Sequence, residues 1–130
     1  MISVLRLELP IRLPSVANLR EHFMVKARRV KQQRQAVAMA LRPYGAPEPP
    51  LTVEITRIAA RSLDSDNLAS AAKGLRDGIA DWLGVDDGHP GITWVYKQEH
   101  RKSEGMLMLF TARGALKRAA DLKVRIEVMA

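Results

Sequence analysis

A proline-rich segment is the strongest constraint on how this chain can fold. Residues 43–50 hold four prolines and a glycine, and neither a helix interior nor a central strand tolerates that density of residues lacking an amide donor. The segment therefore separates a helical pattern before it from an extended pattern after it. At 130 residues, the whole chain has the size of one compact domain.

Hydrophobic periodicity predicts a mixed sheet with two principal helices. Alternating apolar residues predict strands over 2–9, 51–58, 92–98, 106–111 and 122–128. Helical spacing predicts a long helix from about 15–18 to 41, a second from about 66 to 83 and a brief one over 114–120. We therefore expect an α/β (α+β) fold in which residues 1–130 form a single domain.

The second predicted strand has an irregular pattern. Its alternation places Leu51, Val53, Ile55 and Ile58 towards a core, which requires a slip near Arg57. The second helix has a clear end, because Leu83 is followed by Gly84.

Composition excludes several classes of function. The chain has no cysteine, which excludes disulfides, zinc fingers, iron–sulfur clusters and thiol catalysis. Its longest apolar run, residues 36–41, is far shorter than the roughly 20 residues that span a bilayer, and the first residues lack a signal-peptide layout. We expect a cytoplasmic protein with no membrane partner and no organic cofactor.

Charge points to a polyanionic partner. Lys and Arg number 21 against 14 Asp and Glu, a net charge of +7, which favours binding to nucleic acid. Basic residues concentrate in the first helix, where the candidates for phosphate contacts are Arg20, Lys26, Arg28, Arg29, Lys31 and Arg34. A solvated basic helix face is the alternative interpretation.

Six of the 14 acids fall between Asp64 and Asp87, in the pattern Asp64-x-Asp66-Asn67, then Lys73 and Asp77, then Asp86-Asp87. Carboxylate oxygens are the ligands that Mg²⁺ prefers, so this cluster predicts a metal site built from Asp64, Asp66 and one of the Asp86-Asp87 pair. In that hypothesis Lys73 neutralises a phosphate. The alternative is structural: Ser65 or Asp66 caps a helix, Asp86 and Asp87 form a turn, and Lys73 pairs with Asp77.

The same pattern resembles the RusA-like Holliday junction resolvases, small phage and prophage endodeoxyribonucleases. Their signature is Asp-x-Asp-Asn, a lysine and an aspartate in the following helix, and a later Asp-Asp pair before a strand. The resemblance covers residues 61–100, and Lys73 lies one turn beyond the family's lysine, where this chain has Ser70.

The resemblance implies a function and roles for individual residues. Asp64, Asp66 and Asp87 would be the catalytic, metal-binding carboxylates, with Asp86 beside them and Lys73 as the essential lysine. Asn67 and Asp77 would support the site. The family's activity implies an Mg²⁺-dependent endodeoxyribonuclease, with Mn²⁺ as a possible substitute, that acts as a homodimer on four-way DNA junctions.

Geometry leaves two arrangements of the site open. A straight helix over 66–83 would be about 27 Å long, and the four residues from Gly84 to Asp87 return at most about 14 Å. Either the helix breaks, with Gly74, Gly78 and Gly84 as candidates, or a partner chain supplies Asp87.

The sequence leaves three further points open. A non-catalytic DNA-binding or phage accessory protein of the same fold is the alternative function, and an RNA-processing nuclease would share the chemistry. Trp94 and Tyr96 could stack on unpaired bases, fill a subunit interface or simply pack. His89 could activate a water beside the Asp86-Asp87 pair or have no role in the chemistry.

Overall fold

The computed structural model describes residues 2–14, 23–112 and 126–129. Within these ranges the chain forms five strands and three helices. In chain order they are β1 (Ile2–Leu9), α1 (Phe23–Leu41), β2 (Leu51–Ala59), α2 (Ser65–Ala71), α3 (Lys73–Leu83), β3 (Ile92–His100), β4 (Gly105–Ala112) and β5 (Ile126–Met129).

The strands form one mixed sheet in the order β3-β2-β4-β1-β5. The pair β2–β3 is parallel, and the pairs β2–β4, β4–β1 and β1–β5 are antiparallel. Parallel neighbours need a crossover connection, which α2 and α3 supply. The predicted α/β (α+β) class with a mixed sheet is confirmed.

One face of the sheet and the helices enclose the core. A row across four strands, Leu5, Phe110, Val53 and Trp94, lies on this face. The covering residues Val37 and Leu41 of α1 and Leu75 and Ile79 of α3 are completely buried. The spacing that predicted the helices therefore identified the buried residues of α3 and of the second half of α1, whereas Ala27 and Val30 of the predicted apolar face are exposed and half-buried.

The alternation of β2 is regular, so the predicted slip near Arg57 is wrong. Arg57 lies opposite Met106 on the face that carries Ile55, and Ile58 points to the other face. Burying a charged side chain is costly unless it is hydrogen-bonded. The guanidinium of Arg57 donates to the carbonyls of Leu13, at 2.7 Å, and Arg61, at 2.5 Å, which explains its place in the interior.

The predicted helix over 66–83 is two helices, and the break lies at Ala72 rather than at a glycine. Ala72 has φ −93° and ψ 5°, and its N–H donates to the carbonyls of both Leu68 and Ala69. Such shared bonds are typical of a tightened last turn. Gly84 ends α3 in the left-handed region, with φ 71°, as the sequence predicted for the end of this helix.

Gly74 and Gly78 allow α1 and α3 to pack closely. A Cβ atom added at Gly74 would lie 2.7 Å from the Val30 carbonyl oxygen, and one at Gly78 would lie 2.8 Å from that of Arg34. Both glycines were candidates for the helix break, but their role is close approach between two helices.

Three predicted elements extend beyond the described residues. The start of the first helix, before residue 23, and the brief helix over 114–120 lie outside them, and of the last predicted strand only Ile126–Met129 is described. None of the described helices is long and apolar enough to cross a membrane.

We predict that Gly78→Ala destabilises the fold by about 1–3 kcal/mol, the usual cost of overpacking, because the new methyl group meets the backbone of α1. Thermal or urea unfolding measures this. Gly88→Ala is the control, since its Cβ would meet nothing closer than Asp86 Oδ2 at 3.7 Å, and it should stay within about 0.5 kcal/mol. Equal stability of the two variants would contradict the close-packing role.

Candidate functional site

The Asp64–Asn67 segment forms the beginning of α2. Asp64 is the N-cap residue, and its Oδ1 accepts a hydrogen bond of 2.9 Å from the backbone N–H of Asn67. Asp66 lies in the first turn, where a negative charge is favourable. Both carboxylates are exposed. The capping interpretation thus holds for Asp64, whose second oxygen has no partner among the described residues.

The loop before Asp64 is fastened to β3. The Gln98 amide makes two hydrogen bonds of 2.7 Å with the backbone N–H and carbonyl of Leu63. Two residues after Gln98 on β3, His100 Nε2 lies 2.5 Å from Ser62 Oγ. Sequence reasoning missed both contacts, although Gln98 and His100 follow the period of two that puts them on one face of β3.

Asp86 and Asp87 lie in the turn between α3 and β3. The backbone N–H of His89 donates to the carbonyl of Asp86, and Asp87 Oδ2 accepts from Nε of Arg76 at 2.9 Å. A hydrogen bond with the Asp86 side chain, the ion pair with Arg76 and the charge of Lys73 hold the pKa of Asp87 below its ordinary value. Asp87 is therefore a carboxylate at any pH near neutrality.

Arg76 connects this turn to the aromatic residues of β3, a role that sequence reasoning missed. Its guanidinium carbon lies 4.6 Å from the centre of the Trp94 ring, and Nη1 lies 3.1 Å from the Tyr96 hydroxyl. The Trp94 indole N–H donates to the Asp87 carbonyl at 2.8 Å. These contacts favour the packing interpretation of Trp94 and Tyr96. The only available signal was the helical spacing that points Arg76 towards the sheet.

His89 has a local partner in the same turn. Its Nδ1 accepts a hydrogen bond of 2.9 Å from the backbone N–H of Gly91. This contact is typical of a structural residue of a turn.

A depression of about 170 Å³ collects carboxylates from α3 and the following turn. Its lining residues are Arg34, Asp77, Ala80, Asp81, Val85, Asp86 and Asp87. Asp64 and Asp66 do not line it. Over residues 2–14, 23–112 and 126–129, no three side chains of the metal-ligating types lie close enough together to form a metal site.

One chain therefore does not bring together the predicted set of Asp64, Asp66 and Asp87. The break at Ala72 also separates Asp66, on α2, from Lys73 and Asp77, on α3. What the turn offers instead is two adjacent carboxylates, those of Asp86 and Asp87.

Arg34 closes one side of the depression. It binds Asp81 through two hydrogen bonds, from Nε at 2.5 Å and from Nη2 at 2.7 Å. This pairing lowers the pKa of Asp81 and raises that of Arg34. Of the residues predicted to contact phosphates, Arg34 is thus already engaged with a carboxylate.

A second, cationic groove of about 550 Å³ lies between α1 and α3. We call it the α1–α3 groove, and its lining residues are Lys26, Ala27, Val30, Lys31, Arg34, Lys73 and Asp77. It shares Arg34 and Asp77 with the carboxylate depression, so the two are adjoining. Arg28 and Arg29 do not line the groove, and Arg20 lies outside the described residues.

The predicted surface ion pair between Lys73 and Asp77 is absent from the described part of the chain. Lys73 is exposed at the start of α3 and has no carboxylate partner there. Its ammonium group is nevertheless near enough to Asp87 to lower the pKa of that carboxyl. Lys73 therefore lines the groove and also acts electrostatically on the acidic turn.

We predict that Asp81→Asn lowers the melting temperature near pH 7 and that this difference shrinks in acid, as the wild-type carboxyl becomes protonated as well. The pKa of Asp81 lies below its ordinary value of 3.8, so the stabilisation is complete above that value and is lost as the pH falls through the lowered pKa. Glu48→Gln, on an exposed loop, is the control and should have no effect at neutral or acidic pH. An Asp81→Asn effect that persists undiminished in acid would contradict the ion-pair explanation.

Comparison with known proteins adds no relative: no protein-family model matches the chain, and no curated protein is significantly similar to it.

Proposed function

We propose that this protein is an Mg²⁺-dependent endodeoxyribonuclease that cuts branched DNA. The observation that supports this best is that a cationic groove adjoins a depression lined by carboxylates, with Arg34 and Asp77 belonging to both. A phosphodiester bound in the groove would lie beside the oxygen ligands that a divalent cation prefers. The resemblance to RusA-like resolvases adds the four-way junction as substrate.

The residues of the groove would hold the DNA by its phosphates. Lys26, Lys31 and Lys73 present ammonium groups without carboxylate partners among the described residues. Such contacts release counterions, so binding should weaken by about 0.9 log units per contact for each log unit of salt.

The carboxylates of the turn suit magnesium. Mg²⁺ is commonly held by one or two carboxylates, several waters and substrate phosphates, and Asp86 and Asp87 would supply the carboxylates. When bound, the ion supplies Lewis acidity and a more acidic water, and Mn²⁺ accepts similar ligands. Arg76 would keep Asp87 in place, and Lys73 would face the phosphate.

Asp64 and Asp66 enter the proposal through a second copy of the chain. In a homodimer, Asp64 and Asp66 of one subunit would meet Asp87 of the other. We favour this arrangement because one chain holds these residues in two separate places. Asn67 would hold Asp64 through its backbone N–H. A two-fold dimer also suits a junction with two equivalent strands to cut.

The alternative function is that of a non-catalytic DNA-binding or phage accessory protein in the cytoplasm. One observation favours it: Asp64 caps α2, Asp87 pairs with Arg76 and Asp81 pairs with Arg34, so these carboxylates have structural roles without a metal. Metal dependence distinguishes the two functions, because binding alone needs no Mg²⁺.

The direct test is cleavage of a labelled four-way junction, a matched linear duplex and a structured RNA, each with Mg²⁺ and with EDTA. We expect paired nicks in the junction alone, only with Mg²⁺, and a loss of at least about 100-fold in rate for Asp66→Asn and Asp87→Asn. Glu48→Gln is the control and should cut normally. Tight, metal-independent binding with no cut would favour the accessory protein, and cleavage of RNA alone would favour the RNA nuclease.

A mixing experiment tests the shared site. In a mixed dimer of Asp66→Asn and Asp87→Asn, a composite site predicts one site with both native aspartates and one with neither, so single-strand nicking should return. If each chain builds its own site, every site lacks one aspartate and no activity returns. Both variants must be refolded together so that subunits exchange.

A further inference from the structure

The α1–α3 groove is narrow because its walls are two closely packed helices. Gly74 and Gly78 have no side chain to separate α3 from the α1 backbone, and packed helices have axes about 8–10 Å apart. The major groove of a DNA duplex is by itself about 12 Å wide. A duplex is thus too wide to enter the α1–α3 groove, whereas the backbone of one strand is not.

The charges of the groove match a phosphate backbone. Its three lysines, Lys26, Lys31 and Lys73, have no carboxylate partner within the part of the chain that the structure describes. Arg34, which pairs with Asp81, lies at one end of the groove. From Lys26 to Arg34 the α1 axis advances about 12 Å, which is long enough for a strand to present more than one phosphate. Lysine ammonium groups act as point charges and suit a backbone whose position varies.

The floor of the groove is aliphatic. Ala27 and Val30 form it, and no aromatic side chain is among the lining residues. The groove therefore offers ionic contacts to the backbone of a strand and no aromatic surface on which its bases could stack. The far end adjoins the carboxylate depression at Asp77, which gives the groove a direction towards the acidic turn.

We propose that the α1–α3 groove binds the backbone of one unpaired nucleic-acid strand and leads it to the carboxylate depression. The proposal rests on the proposed function for the identity of the polyanion. It adds that the protein distinguishes an unpaired strand from continuous duplex.

The test measures binding of a fluorescein-labelled single-stranded oligonucleotide and of the corresponding duplex, in EDTA so that no cleavage occurs. The groove variant is Lys26→Gln with Lys31→Gln. The control variant is Arg42→Gln with Lys102→Gln, two exposed residues outside the groove whose replacement changes the net charge equally.

We expect the groove variant to bind the single strand at least about tenfold more weakly and to lower the salt slope by about 1.4, from two contacts at about 0.7 each. The control variant should lose less than about threefold with an unchanged slope. On the duplex the two variants should behave alike. Lys26→Arg with Lys31→Arg, which keeps both charges, should bind the single strand like the wild type.

Three results would overturn the proposal: no measurable binding of the single strand by the wild type, equal losses for groove and control variants, or a groove-variant loss as large on duplex as on single strand. Melting temperatures verify that all variants fold. Because binding is measured without metal, a wild type that binds the strand but never cuts would refute the nuclease function and leave the groove assignment intact.

Discussion

The close contact between α1 and α3 is the constraint on which the candidate site depends. Gly74 and Gly78 let the two helices approach until an added methyl group would overlap the α1 backbone. This approach brings Arg34 to Asp81 and sets the basic residues of α1 opposite Lys73 and Asp77. A basic helix and a helix that carries two basic and two acidic residues thereby become the two walls of one surface.

A metal ion at this surface would compete with existing partners for the carboxylates. An aspartate that caps a helix or pairs with an arginine is already stabilised, and a metal must compete with that partner or share the carboxylate with it. Asp87 can share, since Arg76 Nε is bonded to only one of its oxygens, Oδ2. Asp81 is bound through both oxygens by Arg34, so it is the least available of the acidic residues to a cation.

Side chains of β3 hold the backbone of both acidic segments by hydrogen bonds. Gln98 holds the backbone of Leu63 beside Asp64, and Trp94 holds the carbonyl of Asp87. Both supports come from β3, the strand that follows the acidic turn. One strand therefore positions both ends of the proposed metal-binding pattern, although they lie more than 20 residues apart in the sequence.

Local pattern was sufficient for the first four strands, the mixed α/β class, the loop over 43–50 and the end of α3 at Gly84, because periodicity and backbone preference act over a few neighbouring residues. The basic helix and the acidic cluster were also evident from composition along the chain. The break at Ala72 was not evident from the pattern, because alanine is a good helix former. Tertiary contacts decided the rest: the burial of Arg57, the attachment of Arg76 to Trp94 and the pairing of Arg34 with Asp81. Each of these three depends on a partner distant in the sequence, whose distances and hydrogen bonds exist only once helices and sheet have packed.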